Sequence, residues 1–308
     1  MRIGCIVALS LVASCAEWSP RAEPPRTVTV ARVARDGQTR ADATPTMFVW
    51  ARDKNGATFT YQVQPDGTST SRLEGIHLVV KGTEWTWLAK TVDVETAACD
   101  LSLGQRQAPQ GGTVTRASLI DAGAREQVVV PATGFDCNGE GCVNELRHEV
   151  QPIASIGPYL FVEETHYSYA CGAHGSTGRT FSVWDVEHAR PVDVTNALPQ
   201  PDVLRAEAEK RFADDEKENG GPMDESPPAV TEVLPVFDGH RVAFEAQLTI
   251  SACYACSDGL WSSYTRSVRL RTPAPPVLAS YRDLPAPVSL FASRHSELTV
   301  GGWSEVLP

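Results

Sequence analysis

Beyond its first few residues the sequence lacks any apolar run long enough to cross a bilayer as a helix. A membrane-spanning segment is therefore not expected further along the chain. Basic residues are also in short supply: 27 Lys and Arg stand against 38 Asp and Glu, a net charge of −11. Nucleic-acid phosphates need a basic footprint, so nucleic acid is excluded as a partner. An acidic surface is compatible with a basic protein partner, but it serves solubility more often. Catalytic signatures are missing too. There is no His-Glu-x-x-His helix, no phosphate-cradling Gly-Lys-Ser/Thr loop and no dinucleotide glycine fingerprint. No cofactor and no metal are expected, and an enzyme is the less favoured reading.

What is present begins at the N-terminus. Met1-Arg2, the apolar run Ile3 to Val12, and Ala13-Ser14 follow the order of a secretory signal: positive start, apolar core, small residues before a cut. Val12-Ala13-Ser14-Cys15 resembles the lipobox of bacterial lipoproteins. The resemblance implies a signal peptide over 1–14, cleavage before Cys15, and lipid on the Cys15 sulfur that holds the chain to a bilayer. Each buried methylene of such a lipid contributes about 0.8 kcal/mol to membrane affinity. Ala16 follows the cysteine. In Gram-negative lipoproteins a residue other than Asp there usually accompanies outer-membrane sorting, so the expected address is the cell envelope, at the outer membrane. Residues 15–26 carry three prolines and several charges and read as a tether.

An exported chain folds where disulfides persist, and eight cysteines are present. Cys5 leaves with the signal and Cys15 takes the lipid, which leaves Cys99, Cys137, Cys142, Cys171, Cys253 and Cys256. Sequence alone does not choose among the possible pairings. Short loops suggest Cys137–Cys142 and Cys253–Cys256, with Cys99–Cys171 as the remaining pair. Cys253-Tyr-Ala-Cys256 also has the spacing of a redox motif or half a zinc site. Against these readings, no His follows Cys256, no thioredoxin-type βαβ pattern surrounds it, and a four-Cys zinc site would have to draw on Cys137-x4-Cys142 in an oxidising compartment.

The chain of 308 residues, 42% hydrophobic, is long enough for one large domain or two ordinary ones. Strand patterning dominates. Phe59, Tyr61 and Val63 alternate with polar residues, Asp66-Gly67 marks a turn, and Ile76, Leu78 and Val80 alternate again before Lys81-Gly82. Further strands are expected over 84–88, 160–171, 180–186 and 261–270, with an early one over 27–33. Asp238-Gly239 predicts a tight hairpin, after which Val242, Phe244, Ala246, Leu248 and Ile250 mark one face. One helix is predicted, about 202–219, from an N-cap at Asp202, the stripe Leu204, Ala208 and Phe212, and a stop at Gly220-Gly221-Pro222. The Pro-rich tail from Thr272 is expected to lie as extended segments along a sheet edge. The fold class is α+β, mostly β, with antiparallel sheets and disulfide staples. The expected parts are a β-rich stretch over 27–145 and an α+β stretch over 146–308.

The most distinctive stretch runs Tyr167-Ser-Tyr-Ala-Cys-Gly-Ala-His-Gly175, then Thr180-Phe-Ser-Val-Trp-Asp-Val186 and Pro191-Val-Asp-Val194. It resembles the domain of unknown function at the extracellular end of lysozyme-sensing anti-sigma factors and beside some peptidoglycan deacetylase domains. The resemblance covers roughly 153–270 and implies a helix packed on an antiparallel sheet. Cys171 and Cys253–Cys256 depart from the family's pattern, and a ligand is not carried over from it. Glycines on both sides of His174 allow tight or left-handed backbone, so its imidazole either locks the turn or faces a ligand. His174-Gly-Ser176-Thr-Gly178 lacks the first glycine of a nucleophile elbow and lies between strands, which argues against Ser176 as a nucleophile. Glu164 and His166 share one strand face and Glu163 the other; a solvated strand edge is expected there. Trp85 and Trp87 also share a face, suited to core packing and otherwise to stacking on sugars.

The favoured function is an envelope lipoprotein that acts as a binding module, joined to the bilayer through Cys15 and facing an envelope protein or a cell-wall glycan. The alternatives are a cell-wall hydrolase, metal-assisted or not, using His174 with Asp136, Glu140 or Glu164, and a purely structural envelope component.

Overall fold

Alternation along Phe48-Val49-Trp50-Ala51 sends successive side chains to opposite sides of one sheet, and each side has its own core. The computed structural model describes residues 46–100, 106–132, 143–171, 175–198, 201–219, 229–238, 241–251, 263–269 and 274–306. Cys15, Cys137, Cys142, His174, Cys253 and Cys256, the signal and tether, and the strand expected over 27–33 lie outside the described residues.

Three strands open the fold as a meander: β1 (Thr46–Arg52), β2 (Thr58–Val63) and β3 (Ser69–Glu74). A second group comprises β4 (His77–Val80), β5 (Thr83–Val94), the short β6 (Cys99–Asp100) and β7 (Arg106–Gln107), β8 (Gly111–Asp121) and β9 (Glu126–Val130). Next come β10 (Glu145–Ile156), β11 (Tyr159–Tyr169), β12 (Ser176–Asp185) and β13 (Arg190–Val192). Helix α1 (Pro201–Asn219) leads to β14 (Ala229–Asp238), β15 (Arg241–Ser251) and β16 (Ser263–Arg269), and α2 (Ala286–Arg294) to β17 (Thr299–Val306).

The main sheet runs β13-β12-β11-β10-β17-β1-β2-β3, all antiparallel except where β10 meets β17. It forks at β10. The first residues of β10, Glu145–His148, pair in parallel with β8, and Ser155 and Ile156 pair in parallel with β17. Through β8 the branch continues to β5, β4 and β9. The parts expected on either side of residue 145 thus share one sheet, and all described residues belong to the unit Asp42–Pro308. The fold class is as the sequence predicts: mostly β, with antiparallel pairing among the described strands apart from these two short junctions.

Asp side chains set several turns. Asp53 Oδ1 accepts from the N–H groups of Asn55 and Ala57, and Asp121 Oδ1 accepts from those of Gly123 and Arg125. Asp66 does the same for Thr68 beside Gly67. Between β4 and β5, Lys81 and Gly82 both take positive φ, 49° and 72°, the backbone of a type I′ hairpin.

One core holds Val49, Ala51, Val63, Phe161, Phe291 and Trp303, and the other Trp50, Leu78, Trp85, Leu119, Leu160 and Val162. Trp50 carries its indole N–H into the second core and donates it to Ser155 Oγ at 2.7 Å. Helix α1 spans the predicted range. Leu204 alone of its expected stripe can be placed, and it is buried in the first core; the side chains of Ala208 and Phe212 lie outside the description. The 14–15 hairpin also forms, with Val242, Phe244, Ala246 and Leu248 buried on one face and Asp238 paired with Arg241.

The tail departs from expectation. It does not lie along an edge. A 3-10 turn (Pro276–Tyr281) and α2 cover the first core, and β17 sits between β1 and β10 in the middle of the sheet. Pro287 within the first turn of α2 costs no hydrogen bond, so the prolines start a helix here.

Glu232 occupies a bulge of β14, where the register slips between Val230 and Glu232, and its side chain is buried. Burial pushes its carboxyl up to about 8 from 4.5; the Val233 N–H donated to it at 2.9 Å opposes the rise, and Asp193 adds to it. The unfolded chain releases this proton near the ordinary value, while the folded protein keeps it to about 8. Stability from this group is present at low pH and lost as pH rises across that window. Glu232→Gln is expected to flatten the dependence: its urea midpoint should exceed wild type by more at pH about 8 than at about 5. An equal gap at both pH values would refute the buried carboxyl.

Candidate functional site

β10 alternates Leu146, His148, Val150 and Pro152 toward one face, and all four are buried or nearly so. A histidine in an otherwise apolar row is the local signal. Register places His148 opposite His166 and Val150 opposite Glu164, so His148, Glu164 and His166 share the face that carries the second core. His148 Nε2 lies 3.1 Å from Glu164 Oε2, which makes the imidazole N–H the donor and the carboxylate the acceptor. The His166 ring lies against Gly178 on β12, where a Cβ would collide with it. Burial lowers the His166 pKa; nearby His148 lowers it further and Glu164 opposes both.

A cleft of about 310 Å³ opens beside this pair. His148 and Glu164 both line it. The rest of the lining is Val129 and Val130 at the end of β9, Pro131 just after it, Ser182, Val183 and Trp184 of β12, and Pro191 of β13. Trp184 is held in place by its indole N–H, which donates to Gln127 Oε1 at 2.9 Å, while Gln127 Nε2 donates to the Val186 carbonyl at 3.0 Å. The polar capacity of Trp184 is therefore spent inside the protein, and its ring is what it can offer a ligand.

The solvated edge expected for Glu163 to His166 is not found. β11 is an interior strand between β10 and β12. Its two carboxylates have separate fates because a strand turns neighbours to opposite faces. Glu163 bonds to Arg179 Nε at 2.7 Å and accepts from Gln151 at 3.3 Å. Glu164 meets His148 instead, so the acidic partner suggested for His174 is engaged by another imidazole. His174, Asp136 and Glu140 themselves lie outside the described residues.

Gly175 does not take left-handed backbone; it makes room for the Tyr167 ring, which a Cβ would strike. The positive φ before the turn belongs to Cys171, at 62°. Cys171 is bonded to Cys99, the pair left over by the short-loop argument, with Cα atoms 5.3 Å apart. Trp85, 7% exposed, faces the second core and has no free face for a sugar. Trp87 packs against the same core. Among the described residues no group of three His, Cys, Asp or Glu converges as metal ligands, and no helix is long and apolar enough to cross a membrane.

No family model matches the sequence, and no curated protein matches it. Similar solved structures include two DUF3298 family proteins. One, from Pseudomonas aeruginosa, is 12% identical with a TM-score of 0.29 and is matched over 66% of this chain and 95% of its own. The other, from Bacteroides fragilis, is 11% identical with a TM-score of 0.36 over 67% of this chain and 96% of its own.

Proposed function

We propose that this protein is a lipid-anchored envelope binding module that takes its ligand in the cleft between β9 and the face of β10, β11 and β12. The cleft carries the reading. It has the size and make-up of a ligand site, a mostly apolar lining with a few fixed polar groups. Val12-Ala13-Ser14-Cys15 supports the anchor, and a disulfide between Cys99 and Cys171 suits an oxidising compartment. A hydrolase reading is less well supported, because the Glu164 suggested as a partner for His174 already has one oxygen held by the His148 imidazole.

Immobilised protein should retain soluble cell-wall fragments or small molecules from an envelope extract. Ser182→Trp, which fills the cleft, should abolish the retention while leaving the unfolding midpoint in place. Retention unchanged by that substitution, or none at all, would reject the cleft as the ligand site. The anchor has its own test: full-length protein should incorporate radiolabelled palmitate, and Cys15→Ser should not.

A further inference from the structure

Resting on the reading of the cleft as the ligand site, we infer that its occupant carries a primary ammonium group on an unbranched apolar stem. Two adjacent carboxylates make the case. Glu163 is matched by a guanidinium, that of Arg179. Glu164, one residue on and on the other face, has the His148 imidazole as its hydrogen-bond partner and lines the cleft with its side chain 26% exposed. Neither Lys nor Arg is among the described residues that line it. His166, on the same face, is held toward its neutral form by burial, so it does not stand in as the cation. One carboxylate oxygen is fixed by His148, and a carboxylate only accepts hydrogen bonds. The fitting group at this end is a cationic donor, and the chain's net charge of −11 favours its approach.

The rest of the cleft sets the stem. Glu164 pairs with Thr180 and Leu160 with Trp184, so Trp184 lies four residues further along the strands than the Glu164 level. At about 3.3 Å per residue that is about 13 Å. Val129, Val130 and Pro131 add apolar lining to the cleft, and Pro191 pairs with Trp184 at its far end. Ser182 is the one hydroxyl among the described residues that line the cleft, and the Trp184 N–H is already bonded to Gln127. A glycan would bring many hydroxyls into a passage with few partners for them. A methylene stem asks for none. Such a group occurs in free diamines and in lysine side chains of peptides, which share this chemistry.

The test uses the folded protein and follows the Trp184 indole ¹⁵N–H resonance, assigned with Trp184→Phe. Hexylamine should shift it and bind about tenfold or more tighter than hexanol or hexanoate, as a charge-assisted hydrogen bond to a partly buried carboxylate requires. Glu164→Gln should bring hexylamine down to the level of hexanol. Should that variant fail to fold, wild type reads the same point through salt: affinity for hexylamine, and not for hexanol, should fall from about 0.05 to about 0.5 M NaCl. Hexanol binding as well as hexylamine, or hexylamine indifferent to both Glu164→Gln and salt, overturns the ammonium while leaving the cleft a ligand site. No shift with any of these probes or with cell-wall fragments rejects the site itself. Cadaverine and Nα-acetyl-lysine N-methylamide then separate the sources: tighter binding of the first supports a free amine, of the second a peptide, and binding of neither overturns the inference.

Discussion

Gly302→Ala is expected to leave the protein largely unfolded or insoluble. Gly302 faces Ser155 where β17 and β10 run in parallel. A Cβ there would strike the Ser155 hydroxyl and carbonyl oxygens and come within 2.5 Å of its backbone nitrogen. Backbone cannot rotate away as a side-chain end can. The Ser155 hydroxyl is also fixed, because it receives the buried Trp50 indole N–H. The strands must separate at the point where the sheet forks. Overpacking of a tight core costs about 1–3 kcal/mol, and a clash against backbone belongs at or above the top of that range. Urea unfolding and soluble yield would check it. Gly56→Ala is the control: its φ is 82° but no atom lies within 4 Å of the added carbon. It should cost about 1 kcal/mol, the strain of a left-handed alanine alone. If Gly302→Ala costs no more than Gly56→Ala, the parallel junction is wrong.

The second large effect lies at the disulfide. Cys99 and Cys171 are separated by 72 residues, so their bond closes a long loop in the unfolded chain. Chain entropy for a loop of that size amounts to about 4 kcal/mol. The double variant Cys99→Ser/Cys171→Ser should lose about that much stability in urea relative to oxidised wild type. Cys99 is fully buried, so reduction should be slow below the unfolding transition. A double variant within about 1 kcal/mol of oxidised wild type would show that the bond contributes little beyond local contacts.

The elements legible in the sequence were those specified locally. Asp66-Gly67, Lys81-Gly82 and Asp238-Gly239 carry turn chemistry in their own residues, and the strands beside them alternate cleanly. In β17, by contrast, Gly301 and Gly302 lower strand propensity. Their meaning is tertiary: the Trp50 ring covers one and Ser155 abuts the other, from residues far away in sequence. β10 contains Pro152, which reads as a strand breaker until the bulge between Pro152 and Ala154 accommodates it. In the candidate site, the shared face of Glu164 and His166 followed from period-two alternation. Their partnership with His148 did not, because it depends on which strand lies beside β11 and in what register.

β1 and β17, the first and last described strands, lie side by side, with Val49 opposite Trp303. Contacts so distant along a chain are slow to form, because loop closure comes before any reward. A growing chain therefore carries Phe48, Val49 and Trp50 on a strand that has β2 on one side and an open edge on the other. That edge is a ready template for pairing between molecules until β17 arrives. Chains interrupted before Thr299 would be hazards for aggregation, and a cell making this protein gains from holding it unfolded until the whole chain is out.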